Sequence, residues 1–384
     1  MDLGIIQYFV GGAAALAAMP GTVELSALTL ASLMPAPRPV PASGDHGLVR
    51  IMIVIPAHNE RENIGACLDS LQADGAENIC VIADNCTDET AAIALGRGVQ
   101  VLERFSADKR GKGYALDYAF SQLAPQQFDV YLMVDADSLA PRGFLNAFRQ
   151  TFAAGADAAQ CAYLVSNRDD NARTRLLDVA LRGFNLIRPL GRERLGLSAG
   201  ILGNGFALRR ETLEKVPYTA ASVVEDLEYH LALIRAGFRV RFVEGTRVYG
   251  AMPAAGKGRE TQRARWEGGR LRMLLDHGAQ LAASALSGNA VSWEPLLDLL
   301  LLPLGYHVLL LLLVTAMLPP AGLAGLALVV AHVAAAVARG TTPGADLKAL
   351  ATAPAYVVWK LMKIPSTLIA SSPAAAWVRT ERAR

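Results

Sequence analysis

The sequence predicts an α/β protein: a mainly parallel sheet with helices on both faces, carried between apolar helices at the two ends of the chain. Three observations predict it. Residues 50–55, 78–83 and 128–134 are largely continuous Val, Ile and Leu runs bounded by polar residues, the pattern of parallel strands buried on both faces. Between them, residues 60–71 and 87–95 have helical spacing, with Thr87 as the expected N-cap, and such alternation builds a doubly covered sheet. Hydrophobic residues make up 52% of the 384, and the excess falls at the two ends while the middle reads as globular.

The end segments read as membrane helices. Residues 299–318 hold only His307 as an ionisable group and residues 321–338 only His332, each run being near the length that crosses a bilayer. Pro319 and Pro320 between them predict a tight hairpin. Residues 3–34 are apolar but carry Glu24 and a Pro20–Gly21 break, so one kinked or partly re-entrant span is expected there. The start Met1, Asp2, Leu3, Gly4 lacks the basic residues of a secretory signal. Arg38, Arg50, Arg270 and Arg272 lie toward the central region, and Arg339, Lys348, Lys360, Lys363, Arg379, Arg382 and Arg384 follow the last span. That asymmetry predicts a multi-pass inner-membrane protein with its N-terminus outside and its central domain and tail in the cytosol. Cys67, Cys80, Cys86 and Cys161 share no zinc-type spacing and read as reduced thiols, and a net charge of +2 argues against a nucleic-acid partner.

Ligands of such sheets sit beyond the carboxyl ends of the strands. The first strand runs into Pro56, Ala57, His58, Asn59 and Glu60, the second into Asp84, and the third into Asp135, Ala136 and Asp137. Two carboxylates at one strand end repel unless a cation lies between them, and Mg2+ or Mn2+ is held by one or two carboxylates plus phosphate oxygens. The ligand this implies is a nucleotide diphosphate, although any acidic strand-to-turn junction produces the same three residues. Asp84 suits a nucleobase, Glu60 a ribose or base, and His58 the nucleotide edge. The run from Asp108 to Gly113 offers cations beside phosphate or is a solvated turn; it lacks full P-loop spacing. Val224, Glu225 and Asp226 open a helical stretch, where a carboxylate either caps the helix or accepts a proton. His230, His307 and His332 are assigned to packing, and Cys86 has no nucleophilic partner.

Taken in order, Pro56 to Glu60, Asp84 to Asp88, Lys112–Gly113, Asp135 to Ser138, Gly203 to Arg210, Val224–Glu225–Asp226 and Gln262 to Trp266 resemble a family-two inverting glycosyltransferase with a GT-A fold. The resemblance covers residues 50–270 and points to the membrane-bound branch that includes cellulose and hyaluronan synthases. It implies that Pro56, His58, Glu60, Asp84, Lys112, Asp135 and Asp137 bind a nucleotide sugar, with Asp135 and Asp137 holding Mg2+ or Mn2+. It makes Asp226 the catalytic base. Asn204, Gly205, Glu225, Gln262, Arg265 and Trp266 fall on the acceptor side, where Trp266 stacks on a sugar and Arg265 contacts the diphosphate. Val224 stands where the family commonly has Thr, which keeps both acids and loses a hydroxyl.

The organisation this implies is an N-terminal membrane segment (1–34), a Pro/Gly-rich linker (35–48), a Rossmann-like GT-A catalytic domain (49–250), acceptor-side or interfacial helices (251–295), two transmembrane helices (296–339) and a cytosolic or interfacial tail (340–384). The implied activity is transfer from a nucleotide sugar, a UDP-sugar first, to a lipid-linked or saccharide acceptor in envelope glycan or exopolysaccharide synthesis, with export or polymerase proteins as partners. The rival readings are a processive polysaccharide synthase, a nucleotidyltransferase, and a catalytically silent scaffold of an export machine.

Overall fold

The computed structural model describes residues 3–36, 49–219, 222, 224–252, 257–288, 292–362 and 364–365. Most of the expected linker and the end of the tail therefore lie outside the described residues. The chain divides into two compact units: Ala36–Asn167 with Ser198–Met252 form one, and Met1–Pro35, Arg168–Leu197 and Pro253–Arg384 form the other.

The strands, in chain order, are β1 (Ile51–Ala57), β2 (Ile79–Asp84), β3 (Gln100–Arg104), β4 (Val130–Met133), β5 (Ser138–Leu139), β6 (Ala158–Val165), β7 (Phe206–Arg209) and β8 (Val240–Gly250). The helices are α1 (Leu3–Ser32), α2 (Ile64–Ala73), α3 (Thr90–Leu95), α4 (Lys112–Leu123), α5 (Phe144–Ala153), α6 (Ala172–Arg182), α7 (Arg188–Arg194) and α8 (Arg210–Lys215). They continue with α9 (Glu225–Arg235), α10 (Lys257–Leu286), α11 (Trp293–Leu300), α12 (Leu304–Met317), α13 (Pro319–Ala338), α14 (Pro343–Leu350) and α15 (Ala353–Leu361).

All eight strands join one sheet in the order β3-β2-β1-β4-β7-β6-β8-β5. The three apolar runs expected to be strands become β1, β2 and β4, and they pair in parallel. Each is buried along nearly its whole length because helices cover it, and Ile53, Ile55, Val81 and Leu132 share a core with Leu68 and Phe148. Parallel pairing carries a direct consequence: the carboxyl ends of these three strands open on one edge. Beyond β4 the sheet becomes mixed, with β7 antiparallel to both β4 and β6. The helix expected from Thr87 starts at Thr90 instead. Glu89 stands at its N-cap without a side-chain cap bond, while Asp88 Oδ1 accepts from the Thr90 backbone N–H at 3.0 Å and the Thr87 hydroxyl donates to Asn59 Oδ1 at 3.3 Å.

In the other unit, α1 runs as one helix through Pro20, so the chain does not turn back there as a re-entrant segment would. Glu24 is accommodated by pairing: its Oε1 lies 2.6 Å from Arg188 and 2.9 Å from Arg192. The same arginines reach Asp298 Oδ1 at 2.5 and 2.6 Å, and Arg270 holds Asp298 Oδ2 at 3.0 Å. A charge buried in this way needs such a partner. Arg188 and Arg192 lie on the 168–197 stretch, expected within a continuous 49–250 domain but packed in this unit.

Among the described residues two helices, over Gln7–Ser32 and Pro319–Ala338, are long and apolar enough to cross a membrane. The single span expected over residues 299–318 is broken: α11 and α12 meet at a 78° bend. Pro303 explains the break, since it lacks an N–H and drives the residue before it away from helical geometry. The 14 residues of α12 rise only about 21 Å, against about 30 Å for the 20 of α13. Pro319 opens α13 at its first turn, giving the tight hairpin that the two prolines predict. His307 Nε2 lies 3.1 Å from Thr22 Oγ1 and His332 Nδ1 lies 2.7 Å from Thr29 Oγ1, so both histidines tie α1 to its neighbours as well as packing.

Candidate active site

At the ends of β1 and β2 the chain turns sharply through Asn59 (φ 54°) and Asn85 (φ 50°), a left-handed conformation that asparagine tolerates. The two loops are laced together. Thr87 N donates to Asn59 Oδ1 at 2.7 Å, Glu60 N to Thr90 Oγ1 at 2.8 Å, and Arg61 N to Asp88 Oδ2 at 3.2 Å. His58 Nδ1 lies 2.7 Å from the Asp84 carbonyl, and Glu60 Oε2 accepts from Asn63 Nδ2 at 2.7 Å. Pro56 stands one residue before the end of β1.

Asp84 is only 7% exposed, and its Oδ1 accepts from Arg104 Nη1 at 2.5 Å and from Asn85 Nδ2 at 3.1 Å. Arg104 escaped the reading of the sequence. It faces Asp84 because both end adjacent parallel strands in register, a pairing visible only once the strands are aligned.

The second cluster gathers around Lys112, the first residue of α4. Its Nζ donates both to Asp135 Oδ1 and to the Gly203 carbonyl. Burial pulls the ammonium pKa down, but Asp135, Glu225 and Asp226 outweigh that and hold it above the ordinary lysine value. Asp226 lies in the first turn of α9. Burial pushes its carboxyl above the ordinary aspartate range, against the opposing pull of the Leu227 N–H at 2.9 Å and of Lys112. Gly203 has φ +79°, and a side chain there would begin 3.1 Å from Asp226 Oδ2. A glycine is therefore what lets this loop lie against the carboxylate. Segments more than a hundred residues apart thus meet at one edge, with Lys112, Asp135, Gly203 and Asp226 at their centre.

Asn204 and Gly205 differ from the expectation that they face an acceptor. Asn204 is 1% exposed; its Oδ1 accepts from Asp135 N at 3.1 Å and its Nδ2 donates to Ser138 Oγ at 2.8 Å. The amide therefore clamps both ends of the Asp135–Ser138 turn. Gly205 is buried against Cys161 and Val248, where a Cβ would lie 2.5 and 2.8 Å from them. Gln160 was missed altogether. Its signal was a lone polar side chain in the middle of an otherwise apolar strand, β6. Gln262, Arg265 and Trp266 lie on α10, but their side chains fall outside the described residues.

Among the described residues no group of three or more His, Cys, Asp or Glu side chains converges as a complete protein cage for a metal. Asp135 and Asp137 fit a different donor set: one or two carboxylates, with phosphate oxygens completing the sphere of Mg2+ or Mn2+. Lys112 already occupies Asp135 Oδ1. Ser138 Oγ lies 3.5 Å from Asp137 Oδ1.

A mixed α/β sheet dominated by parallel strands, with acids and a lysine at their carboxyl edge, defines a GT-A-like glycosyltransferase domain. Residues 49–269, more than half of the chain, match the profile of glycosyltransferase-like family 2, and the chain belongs to that family. It is 25% identical over 256 residues to a probable glycosyltransferase, YdaM, of Bacillus subtilis (strain 168), covering 61% of this chain and 58% of that protein. It is also 25% identical over 310 residues to the beta-monoglucosyldiacylglycerol synthase of Synechocystis sp., covering 77% of this chain and 62% of that protein. The chain thus matches less than two thirds of the length of either relative. A crystal structure of glucosyl-3-phosphoglycerate synthase from Mycobacterium tuberculosis in complex with Mn2+, UDP and phosphoglyceric acid aligns with a TM-score of 0.36 at 20% identity. That alignment covers 51% of this chain and 68% of the other.

Proposed function

We propose that the protein is a metal-dependent, inverting glycosyltransferase that moves a sugar from a nucleotide sugar, a UDP-sugar first, to a lipid-linked or saccharide acceptor at the cytosolic face of a membrane. The observation that carries this reading is the meeting of Lys112, Asp135, Gly203 and Asp226 at the carboxyl edge of the parallel strands. On this reading Pro56, His58, Glu60 and Asp84 frame the nucleoside. Asp137, with Asp135, would hold Mg2+ or Mn2+, which would neutralise the charge that builds on the diphosphate as it leaves.

The remaining work falls to the chain itself. Asp226, its burial making it more basic than an exposed carboxylate, accepts the proton of the acceptor hydroxyl. The hydroxyl oxygen forms its bond to the anomeric carbon from the face opposite the diphosphate. The bond from that carbon to the diphosphate oxygen breaks, and its electron pair leaves with the nucleoside diphosphate. Lys112 lies beside Asp135 to meet that charge, while Glu225, Gln262, Arg265 and Trp266 serve the acceptor side. One displacement inverts the anomeric centre and needs no covalent enzyme intermediate.

The apolar helices α1 and α13 support a membrane-bound protein, and kinship with a synthase named for a glucosyldiacylglycerol supports a lipid acceptor. Among the described residues, two such helices and one bent pair are few to line a path for a polar polymer through hydrocarbon. Addition of one or a few sugars follows, with export or polymerisation left to partner proteins. The test is to incubate membranes containing the protein with a panel of radiolabelled sugar nucleotides, extract the lipid fraction and size the product. Label in short glycolipid with release of nucleoside diphosphate is expected. Pyrophosphate release would make the protein a nucleotidyltransferase, early long polymer a processive synthase, and no metal-dependent donor turnover a scaffold.

A further inference from the structure

We infer that Gln160 is a positioning residue for sugar transfer: its side-chain amide fixes both flanks of Gly203 and, through Asn204, the Asp135–Ser138 turn. The inference rests on reading this site as a glycosyltransferase centre. Gln160 lies in the middle of β6 with 0% exposure, and an amide buried so deeply is tolerated only when bonded. Its Oε1 accepts from Leu202 N at 2.9 Å. Its two Nε2 hydrogens are shared among three carbonyls, those of Asn204 and Cys161, each at 2.7 Å, and that of Gly205 at 3.1 Å.

These bonds are not equivalent. Gly205 is also held by backbone pairing, its carbonyl accepting from Cys161 N at 2.9 Å and its N–H donating to Met133 O at 3.0 Å. Leu202 N and Asn204 O depend on Gln160 among the described residues. The two residues flanking Gly203 are therefore fixed by one side chain, in a loop where Gly203 and Gly205 both have positive φ. Gly203 in turn receives Lys112 on its carbonyl and lies against Asp226 Oδ2. Asn204 carries the same constraint to Asp135 N and Ser138 Oγ. One uncharged amide thus sets the relative placement of the proposed base and the proposed metal-binding turn, two carboxylates that no direct bond connects. Strand β6 itself already pairs through its backbone with β7 and β8, so an apolar residue of equal size would serve the sheet.

The test is Gln160→Met in the full-length protein, comparing kcat, the donor KM and UDP affinity with wild type. Loss of alignment between base and donor is a transition-state defect, so kcat should fall roughly 10- to 100-fold. The nucleoside loops on β1 and β2 make no hydrogen bond to Gln160 among the described residues, so UDP affinity measured without metal should stay within about threefold. An unchanged kcat, or metal-free UDP affinity falling in parallel with kcat, overturns the inference and leaves Gln160 a structural residue. Should Gln160→Met fail to fold, Ser138→Ala decides, because it removes only the far hydroxyl of the relay. It should lower kcat several-fold at unchanged metal-free UDP affinity, and a wild-type kcat would sink the proposal. A wild-type protein that turns over no sugar nucleotide overturns the glycosyltransferase reading and this inference together, whereas an active wild type with an indifferent Gln160→Met overturns the inference alone.

Discussion

Lys112 donates from one ammonium to the Asp135 carboxylate and to the Gly203 carbonyl, and it is the cation facing Glu225 and Asp226. Its removal therefore has a directional consequence. In Lys112→Met the attraction that lowers the Asp226 pKa is gone, so that carboxylate holds its proton to higher pH. The acid limb of kcat/KM should move up in pH, and UDP affinity should weaken by roughly tenfold as a diphosphate contact is lost. Profiles of kcat/KM against pH for both proteins check the sign; a shift to lower pH contradicts the geometry.

Asp226 itself should show function and stability in opposition. Its folded-state pKa is raised, so the stability it contributes is fully present below its unfolded value, about 3.9, and is lost as pH rises through the folded value. At pH 7 the charged carboxylate is a net cost to folding. Asp226→Asn should therefore keep or raise the thermal midpoint at pH 7 and retain UDP binding, while transfer falls by roughly 10²-fold or more. A lowered midpoint together with lost UDP binding would assign Asp226 to structure instead.

Asp137 should carry most of the metal requirement, because Lys112 already engages Asp135. Asp137→Ala is expected to abolish the Mn2+ dependence of UDP affinity and leave the metal-free affinity unchanged. Titrating UDP with and without Mn2+ reads this without turnover, and a normal metal titration in the variant would remove Asp137 from the metal site.

Much of this edge was legible because the strands that form it are local patterns. Continuous Val, Ile and Leu runs ending in acids announced β1, β2 and β4, and parallel pairing then brought their ends together. What escaped depends on alignment between distant segments. Arg104 reaches Asp84 through strand register, Gln160 reaches Leu202 across 42 residues, and Asn204 reads as an acceptor-side residue until its amide is seen on the Asp135–Ser138 turn. The 168–197 stretch misled for the opposite reason. It reads as part of a continuous 49–250 domain, yet the partners of its Arg188 and Arg192, Glu24 and Asp298, lie more than a hundred residues away in apolar segments.

Membrane topology gives a test that needs no substrate. Pro319 and Gly344 are both exposed, at the two ends of the stretch that includes α13. The basic residues after this helix predict that Pro319→Cys is labelled from outside by an impermeant reagent and Gly344→Cys is not. Native thiols add little background, as Cys67, Cys80 and Cys161 are buried and Cys86 is half-buried. The reverse labelling would put the Lys112 and Asp226 edge on the side where nucleotide sugars are scarce.

The buried ionic cluster of the other unit makes the sharpest stability prediction. Glu24 Oε1 accepts from both Arg188 and Arg192, and Asp298 Oδ1 repeats the arrangement. Three arginines, counting Arg270, face three acids, counting Glu294, so the formal charges balance. Glu24→Leu breaks that balance and leaves three guanidiniums on two acids, a buried excess charge of the kind that costs about 3–5 kcal/mol when a single partner of a buried pair is removed. Adding Arg188→Met restores two cations against two acids and deletes the excess charge. The double variant should therefore be more stable than Glu24→Leu alone, an interaction that a double-mutant cycle reads directly. Thermal unfolding in detergent is the measurement. Additive losses would mean that the pair is not what anchors α1 to the 168–197 stretch, and the continuity of α1 past Pro20 would then rest on apolar packing and the Thr22–His307 and Thr29–His332 bonds.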